Sequence, residues 1–368
     1  MKAKGIGILG LGSYLPPNVR KNDYWSLEAF EAFQKGGNVD LDLGAAPAEM
    51  LARLKTSASG RIALEEMAKW KNDPFHGALE RRVADEKMLS SDMEVEAARD
   101  ALKNAGLEAG DIDLMLLNSF LPDQAVPGNA GLVHSRLGMR PSAAAMEVDG
   151  VCGSFPFQLQ LAAAYLLAGA GKHVLIVQSA LQSRITDYRN PLSTTFGDAA
   201  TAAVIGRVSP ERGMLSCVST TDGAYAGVAV LAAQNGAAWY DTQGARLVPH
   251  STDPLKTKEV VLRAGDMAKA SIDQALEEAG TQAEDIQFFT SHQTIAAFSA
   301  ICRRASGLGH TKTVDSFRSV ASISACAIPL NLKIAQQEGL LRDGDLAAVF
   351  TTGAGFNWSS AIFRWGAS

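Results

Sequence analysis

The sequence predicts an α/β protein built from two duplicated halves, with two sheets packed about a pseudo-twofold axis and helices between them. Three observations lead to this prediction. The chain has 368 residues, helix-then-strand patterns recur along it, and two separate stretches reappear later at nearly the same spacing. The composition is that of a globular protein, since 47% of the residues are hydrophobic and 20% are charged.

The clearest helix-then-strand unit lies in the first half. Met93–Gly106 carries apolar residues at helical spacing and ends at a glycine, and Asp113–Leu117 is a short apolar run. This order predicts an amphipathic helix followed by a buried strand.

The same unit recurs in the second half. The stretch DALKNAGLEAGDIDLMLLNS begins at Asp100 and QALEEAGTQAEDIQFFTSHQ begins at Gln274, an offset of 274 − 100 = 174. A second pair of stretches aligns Pro156 with Pro329, an offset of 329 − 156 = 173. Solenoid repeats run only about 20 to 50 residues, so this period indicates a duplicated domain.

We place the two halves at 1–207 and 208–368. Each half carries mixed helix and strand units, so two sheets are expected to pack with helices between them. The helix expected at Phe155–Ala168 is apolar all round, which is typical of the central layer of such a sandwich.

The opening MKAKGIGILGLGSYLPP contains the pattern G-x-G-x-x-G at Gly5–Gly10. A dinucleotide-binding turn needs a strand before these glycines and a helix after them. Tyr14-Leu-Pro-Pro cannot open a helix, so we place the glycines in a tightly packed first strand. The apolar run is short and rich in glycine, so we do not expect a signal peptide.

Charge and cysteine usage limit the partners. The net charge is −5 and the sequence contains no block of lysine or arginine. We therefore predict that the protein binds neither nucleic acid nor anionic membranes. The four cysteines lie far apart without a CxxC pair, so we expect reduced thiols and a cytoplasmic protein. No metal site is predicted.

Cys152 is the candidate nucleophile. Gly150 and Gly153 flank it, and the helix expected to begin near Gly153 directs its positive end at the sulfur. A helix N-terminus can lower a thiol pKa to about 3.5 to 7.5, so we expect an ionised thiol. The repeat pairs Cys152 with Ala325, so only one half keeps the thiol. A buried structural cysteine is the alternative.

A nucleophile of this kind needs a proton acceptor. His292 follows the apolar strand Ile286–Thr290 and precedes a helix expected near Thr294, so it lies where α/β proteins place ligand sites. Surface or capping roles are expected for the other histidines, His76, His134, His173, His250 and His310.

Several motifs in order resemble β-ketoacyl-acyl-carrier-protein synthase III and its relatives in the thiolase superfamily. They are Arg81-Arg82-V-A-D-E, the D-x-x-C-G-S-F setting of Cys152, Phe196-Gly197-Asp198-Ala199-Ala200, His292-Gln293, and Gly353-Ala354-Gly355-Phe356-x-Trp358. The resemblance spans nearly the whole chain.

The resemblance implies a thiolase-like fold, a layered αβαβα sandwich, and a ping-pong reaction in a homodimer. Cys152 would attack an acyl thioester of coenzyme A or an acyl carrier protein, with no permanently bound cofactor, and the acyl group would pass to a small-molecule acceptor. His292 would act as base or hydrogen-bond donor. The backbone N–H groups of Cys152 and Ala354 would form the oxyanion hole.

This chain departs from the family pattern at the position of an asparagine that assists decarboxylation. Here the segment reads VASISACAIP and places Ser322 there, and Thr352 stands where the family often has a phenylalanine. The family's coenzyme A contacts have no secure counterparts, although Trp25 and Arg189 are nearby. Extra sequence between residues 20 and 80, including YWSLEAFEAFQ and Ala48–Leu54, looks helical and amphipathic; a loop-covering insert is the simpler interpretation.

Three functions remain open. The first is an acyl-thioester-dependent acyltransferase of fatty-acid-like or polyketide-type metabolism, working through acyl-Cys152. The second is a decarboxylative condensing enzyme that joins the acyl group to a malonyl thioester with the help of His292 and Ser322. The third is a catalytically weak partner subunit of a thiolase-fold heteromer. Chain length, acceptor and the choice between coenzyme A and carrier protein are not predicted.

Overall fold

A computed structural model of the chain describes residues 1–26, 28, 52, 57–189, 191–233 and 247–367. The helices expected at 24–34 and at Ala48–Leu54 fall almost wholly outside these residues.

The strands, in chain order, are β1 (Ala3–Lys4), β2 (Ile6–Tyr14), β3 (Asn18–Lys21), β4 (Glu80–Val83), β5 (Leu114–Ser119), β6 (Ala144–Glu147), β7 (His173–Leu181), β8 (Asp198–Arg207), β9 (Gly213–Thr221), β10 (Val230–Ala233), β11 (Leu247–His250), β12 (Phe288–Ser291), β13 (Leu346–Gly353) and β14 (Asn357–Arg364). The helices are α1 (Ala58–Ala68), α2 (Ser90–Ala105), α3 (Ala130–Leu137), α4 (Ser154–Leu167), α5 (Pro254–Ala279), α6 (Ala296–Ala305), α7 (Phe317–Val320) and α8 (Ala327–Gln337).

Two five-stranded sheets share a four-strand topology, in which β2-β8-β7-β5 of the first sheet corresponds to β9-β14-β13-β12 of the second. The fifth strand lies beside β5 in the first sheet and beside β9 in the second. The first has the order β2-β8-β7-β5-β6 and the second the order β1-β9-β14-β13-β12. In the first, β5 and β7 are parallel while β8 is antiparallel to β7 and β2. In the second, β12 and β13 are parallel while β14 is antiparallel to β13 and β9. This correspondence confirms the duplication that the sequence repeats predict.

The repeat also extends to helix ends. Helix α2 ends at Gly106 and α5 ends at Gly280, and both glycines adopt the left-handed conformation, with φ of 67° and 71°. Only glycine adopts this conformation readily, so both copies of the helix stop for the same physical reason.

Two glycines of the first strand let a helix approach closely. A Cβ added at Gly10 would lie 2.5 Å from the backbone nitrogen of Ala105, and one at Gly12 would lie 2.1 Å from the carbonyl oxygen of Ala97. Both contacts are with α2, which packs directly on β2. The glycines therefore serve strand packing, as predicted, and not a dinucleotide.

Helices α4 and α8 lie between the two sheets. Phe155 of α4 and Leu332 of α8 share one buried cluster with Ile176 of the first sheet and Val349 of the second. Helix α2 covers the outer face of the first sheet, and helices α5 and α6 cover the outer face of the second. The five layers confirm the predicted αβαβα sandwich.

Helix α4 differs from the prediction on one side. Leu161 and Leu167 are 46% and 47% exposed in the single chain, so the helix is not enclosed all round. One face of the helix packs in the core, and the other face exposes leucine side chains to solvent.

The extra segment before β4 contacts the second half. Helix α1 is tied to α6 by Arg304, which forms ion pairs with Glu65 and Glu66. Ala63 of α1 packs with Ile301 of α6. The described part of the insert therefore covers helices of the second half.

Within the part of the chain that the structure describes, every helix is too short or too polar to cross a lipid bilayer. The four cysteines are free thiols, as their wide spacing predicts.

Candidate active site

Cys152 lies in a strained turn that leads into helix α4. The turn spans Val151–Gly153 as one turn of 3-10 helix. Val151 has a φ of +53° although it is β-branched, and such strain is typical of functional sites. The Ser154 hydroxyl holds the turn, because it accepts from the Gly150 N–H at 2.9 Å and donates to the Val151 carbonyl at 2.7 Å.

The end of strand β13 presses against this turn. A Cβ added at Gly353 would lie 2.2 Å from the Gly150 carbonyl oxygen, and one at Gly153 would lie 2.0 Å from Oδ1 of Asn357. The Thr351 hydroxyl donates to the Cys152 carbonyl at 3.0 Å. Strand β13 of the second half is thus fixed to the nucleophile of the first half.

His292 comes to the same strand from the other side. It directly follows β12, and its N–H donates to the Phe350 carbonyl at 3.3 Å. The residue is 1% exposed, and neither ring nitrogen has a hydrogen-bond partner among the described residues. Because Phe350 precedes Thr351, strand β13 holds both His292 and Cys152.

A residue that the sequence does not mark contacts the sulfur. Ser324 donates from Oγ to Sγ of Cys152 at 3.3 Å, and its backbone lies beside the His292 ring. The one available signal is the repeat: 324 − 151 = 173, so Ser324 is the counterpart of Val151. Both residues have left-handed backbones, with φ of 52° and 53°.

Ser322 is held by its backbone. Its N–H donates to the Thr195 carbonyl at 2.8 Å, and its carbonyl accepts from the Gly197 N–H at 3.1 Å and from Nε2 of Gln182 at 2.7 Å. No hydrogen bond joins its side chain to Cys152 or His292 among the described contacts. Its part in catalysis stays a prediction.

The motif F-G-D lies against this segment. Phe196 and Ser322 form an isolated β-bridge, and a Cβ at Gly197 would lie 2.0 Å from the Val320 carbonyl oxygen. The Asp198 carboxylate accepts from the N–H groups of Ala84 and Ser183. The motif therefore positions the Ser322 backbone.

Ala354 follows β13 directly and is half-buried. Its carbonyl accepts from Nδ2 of Asn357 at 3.4 Å. Thr352 is 8% exposed and pairs with Trp358 on β14. The role of Ala354 in the oxyanion hole stays a prediction. That role would depend on the backbone N–H of Ala354 and not on its side chain.

Burial keeps the Cys152 thiol neutral, whereas the sequence predicts an ionised thiol. Cys152 is half-buried as a residue, but burial raises the pKa of its thiol to about 11, although the Ser324 hydroxyl opposes this rise. Burial also lowers the pKa of His292 to about 4, and the Ser324 backbone opposes that change. The prediction of a thiol ionised by the helix is therefore wrong. The resting pair is a neutral thiol and a neutral imidazole.

The two candidate coenzyme A contacts differ in exposure, because Trp25 is buried and the Arg189 side chain is 87% exposed. Trp25 is 6% exposed, donates from Nε1 to the Ser193 hydroxyl, and lies 4.7 Å from the guanidinium of Arg81. Arg189 pairs with Asp187 at 3.0 Å. Neither residue is placed at Cys152 by any described contact.

The other histidines have mostly structural roles. Ring nitrogens of four of them face backbone carbonyls at 3.0 to 3.1 Å, as the capping prediction requires: His134, His173, His250 and His310. Among the described residues, no cluster of three or more histidine, cysteine or acidic side chains is placed to hold a metal ion.

Comparison with known proteins agrees with this geometry. The profile of the family described as 3-Oxoacyl-[acyl-carrier-protein (ACP)] synthase III matches residues 146–241, and the profile of its C-terminal part matches residues 276–365. The first match includes Cys152, and the second includes His292 and Ser324.

A β-ketoacyl-[acyl-carrier-protein] synthase III of Geobacillus kaustophilus is 30% identical over 364 residues, which cover 98% of this chain and 99% of that protein. The solved structure of the Thermus thermophilus β-ketoacyl-[acyl carrier protein] synthase III has a TM-score of 0.74 at 27% identity and covers 98% of this chain and 100% of that one. OleA of Xanthomonas campestris is similar in fold, with a TM-score of 0.76 at 20% identity over 99% of this chain and 98% of that one.

The match runs along the whole chain, and the repeat, the layered fold and the order of the motifs agree with it. The chain therefore belongs to the 3-oxoacyl-[acyl-carrier-protein] synthase III family of acyl-thioester enzymes, within the thiolase superfamily.

Proposed function

We propose that the chain is an acyl-thioester-dependent acyltransferase that works through an acyl-Cys152 intermediate. One observation carries the proposal: a thiol in a strained turn at the start of a buried helix is joined through strand β13 to a buried histidine with free ring nitrogens. Strained strand-to-helix turns are known to present nucleophiles in other enzymes.

In the first half-reaction, His292 acts as the base. Its imidazole is neutral at physiological pH because burial lowers its pKa to about 4, so it accepts the thiol proton as the Cys152 sulfur attacks the thioester carbonyl. The negative charge on the carbonyl oxygen is held by the N–H groups of Cys152 and Ala354. The leaving thiol then takes the proton from His292, and a new thioester remains on Cys152.

In the second half-reaction, the acyl group passes to a small-molecule acceptor. His292 removes the proton of a hydroxyl or amine acceptor, which then attacks the acyl-Cys152 carbonyl. The bond between the acyl carbon and the Cys152 sulfur breaks, and the leaving thiolate takes the proton back from His292. Ser322 gives only a short, rotating hydroxyl where the family pattern has an amide donor. Losing one oxyanion donor can cost about 100- to 1000-fold in rate, so Ser322 favours transfer over decarboxylation.

Decarboxylative condensation is the second candidate. The observation in its favour is the full-length match to relatives that are called β-ketoacyl-[acyl-carrier-protein] synthase III. An inactive partner subunit is the third, and the contact between Ser324 and the Cys152 sulfur counts against it, because a non-catalytic chain has no need for that contact.

The experiment that separates the first two candidates loads the protein with an acyl-coenzyme A or acyl carrier protein and then adds a malonyl thioester. We expect an acyl-enzyme without release of carbon dioxide. Carbon dioxide released by the wild type and lost in His292→Ala would assign the condensing reaction instead.

We also propose that the protein is a cytoplasmic homodimer without a permanently bound cofactor. Within each chain, we place the boundary between the two halves at residue 207. Val126, Met146, Leu161 and Leu167 are exposed apolar residues of the first half. Strand β6, which holds Met146, is an edge strand of the first sheet, and exposed edges favour pairing with another chain. Strand β1 is an exception to this boundary, because it belongs to the first half of the chain but pairs with β9 of the second sheet.

Multi-angle light scattering tests the dimer. We expect a dimer for the wild type and a shift toward monomer for Leu161→Asp, because a carboxylate cannot be buried at an apolar interface without a partner.

A further inference from the structure

The two copies of the nucleophile turn face each other. Val151–Gly153 and Ser324–Cys326 are both single 3-10 turns that lead into central helices, α4 and α8. Their first residues share a left-handed backbone, with φ of 53° at Val151 and 52° at Ser324. Where the first turn carries a thiol, the second carries Ala325, and the residue before it reaches across to the sulfur.

The contact between the turns is a hydrogen bond to the reacting atom. Ser324 is 1% exposed, and its Oγ lies 3.3 Å from Sγ of Cys152. No other side chain among the described residues hydrogen-bonds that sulfur. A serine in the left-handed region carries a backbone cost that alanine would carry equally, so the hydroxyl is the feature that distinguishes serine here.

We propose that Ser324 is a catalytic hydrogen-bond donor that stabilises the Cys152 sulfur while it carries negative charge. The inference rests on the proposed acyl transfer through Cys152 and adds a residue to it. The second turn, which has lost the thiol, thus supplies a donor to the thiol of the first.

The step balances as follows. The proton of the Cys152 thiol moves to a ring nitrogen of His292, and the sulfur's electron pair forms the new bond to the acyl carbon. The carbonyl electrons move to oxygen and return as the bond to the leaving thiolate breaks, and that thiolate takes the proton from His292. Ser324 keeps its own proton throughout and lowers the energy of the anionic sulfur before attack and during deacylation.

The size of the effect follows from the charge. Hydrogen bonds to charged groups are roughly twice as strong as neutral ones, and the low dielectric of a buried site strengthens them further. Removing the hydroxyl should therefore reduce thiolate formation by about tenfold to hundredfold.

The test measures the rate of Cys152 alkylation by iodoacetamide at several fixed pH values near neutrality, with the modified peptide quantified by mass spectrometry. Ser324→Ala removes the hydroxyl at unchanged backbone cost, and Ser324→Gly removes it while relieving that cost. Ser319→Ala is the matched control, because its hydroxyl bonds the Ser316 carbonyl. We expect the alkylation rate at each pH to fall by about tenfold to hundredfold in both Ser324 variants and to stay unchanged in the control.

An unchanged alkylation rate in the two Ser324 variants would overturn the proposal, since a structural role does not predict a loss of rate shared by Ala and Gly. Failure of the proposed function gives a different result. In that case the wild type would form no acyl adduct with any donor, while the Ser324 variants would still be alkylated more slowly than the wild type. An acyl adduct together with unchanged alkylation rates would retain acyl transfer and remove Ser324 from it.

Discussion

Thr351 donates a hydrogen bond from Oγ1 to the carbonyl of Cys152 at 3.0 Å and so joins the last sheet of the chain to the nucleophile. Replacing Thr351 with valine keeps the shape and leaves that carbonyl without this donor. A buried polar group left unpaired costs about 1 to 3 kcal/mol. We expect a corresponding loss of free energy of unfolding by denaturant titration and slower acyl loading.

Thr351→Ser is the matched control, because it retains the hydroxyl. Wild-type stability and loading in Thr351→Val would show that this bond does not hold the turn.

Gly153 is required by contact and not by its backbone angle. Its φ is −86°, which alanine adopts freely, but a Cβ would lie 2.0 Å from Oδ1 of Asn357. Overpacking of this kind costs about 1 to 3 kcal/mol, so Gly153→Ala should lower the melting temperature. Gly110→Ala places its Cβ in open space and should change it little. Equal shifts in the two variants would contradict the close approach of Asn357.

His292 should make the protein less stable as the pH falls. Burial lowers its pKa from 6.5 to about 4, so between these values the unfolded chain binds a proton that the folded chain does not. The stability of the wild type should therefore fall by about 3 kcal/mol relative to His292→Asn as the pH drops through this window, at 1.36 kcal/mol per pH unit.

Thermal or urea unfolding of both proteins from neutral to acidic pH measures this difference. His134→Asn is the control, because that ring caps the Arg140 carbonyl outside the site. Parallel stability curves for wild type and His292→Asn would contradict a buried neutral imidazole.

Glu94 should have the opposite effect on the pH dependence and make the protein less stable as the pH rises. Its side chain is fully buried and accepts hydrogen bonds from Ser119, Ser179 and Asn129. Burial raises its pKa from 4.5 to about 7, so the folded chain holds a proton that the unfolded chain has released. The stabilising difference, about 3 kcal/mol by the same conversion, is complete below pH 4.5 and lost as the pH rises through 7.

Glu94→Gln cannot titrate, so the wild type should lose stability relative to it as the pH rises across this window. Glu96→Gln, on the exposed face of the same helix, should behave as the wild type does. A Glu94→Gln curve parallel to the wild type would show that the carboxyl is already ionised at acidic pH.

The sequence predicts the duplication and the placement of Cys152 and His292 because these depend on local patterns. The tight packing of the first-strand glycines, the helix end at Gly106 and the strand before His292 all follow from short-range rules. The exposure of the leucines of α4 does not follow from such rules, because an apolar helix has the same sequence pattern whether its outer face contacts protein or solvent.

Two features of the site need the three-dimensional arrangement. Ser324 contacts Cys152 across 172 residues of sequence, and in the sequence only its repeat partner Val151 indicates its position. The sign of the Cys152 pKa change depends on competition between the helix end, which the sequence reveals, and burial of the sulfur, which it does not. Burial is the largest cause of the raised pKa, and the hydrogen bond from Ser324 opposes it.

The most direct test of the account is intact-mass spectrometry of the protein after incubation with a series of acyl-coenzyme A and acyl carrier protein donors. The account predicts a mass increase of one acyl group that is located on Cys152 and absent in Cys152→Ala. An acyl group that persists in Cys152→Ala, or no adduct with any donor, would contradict it.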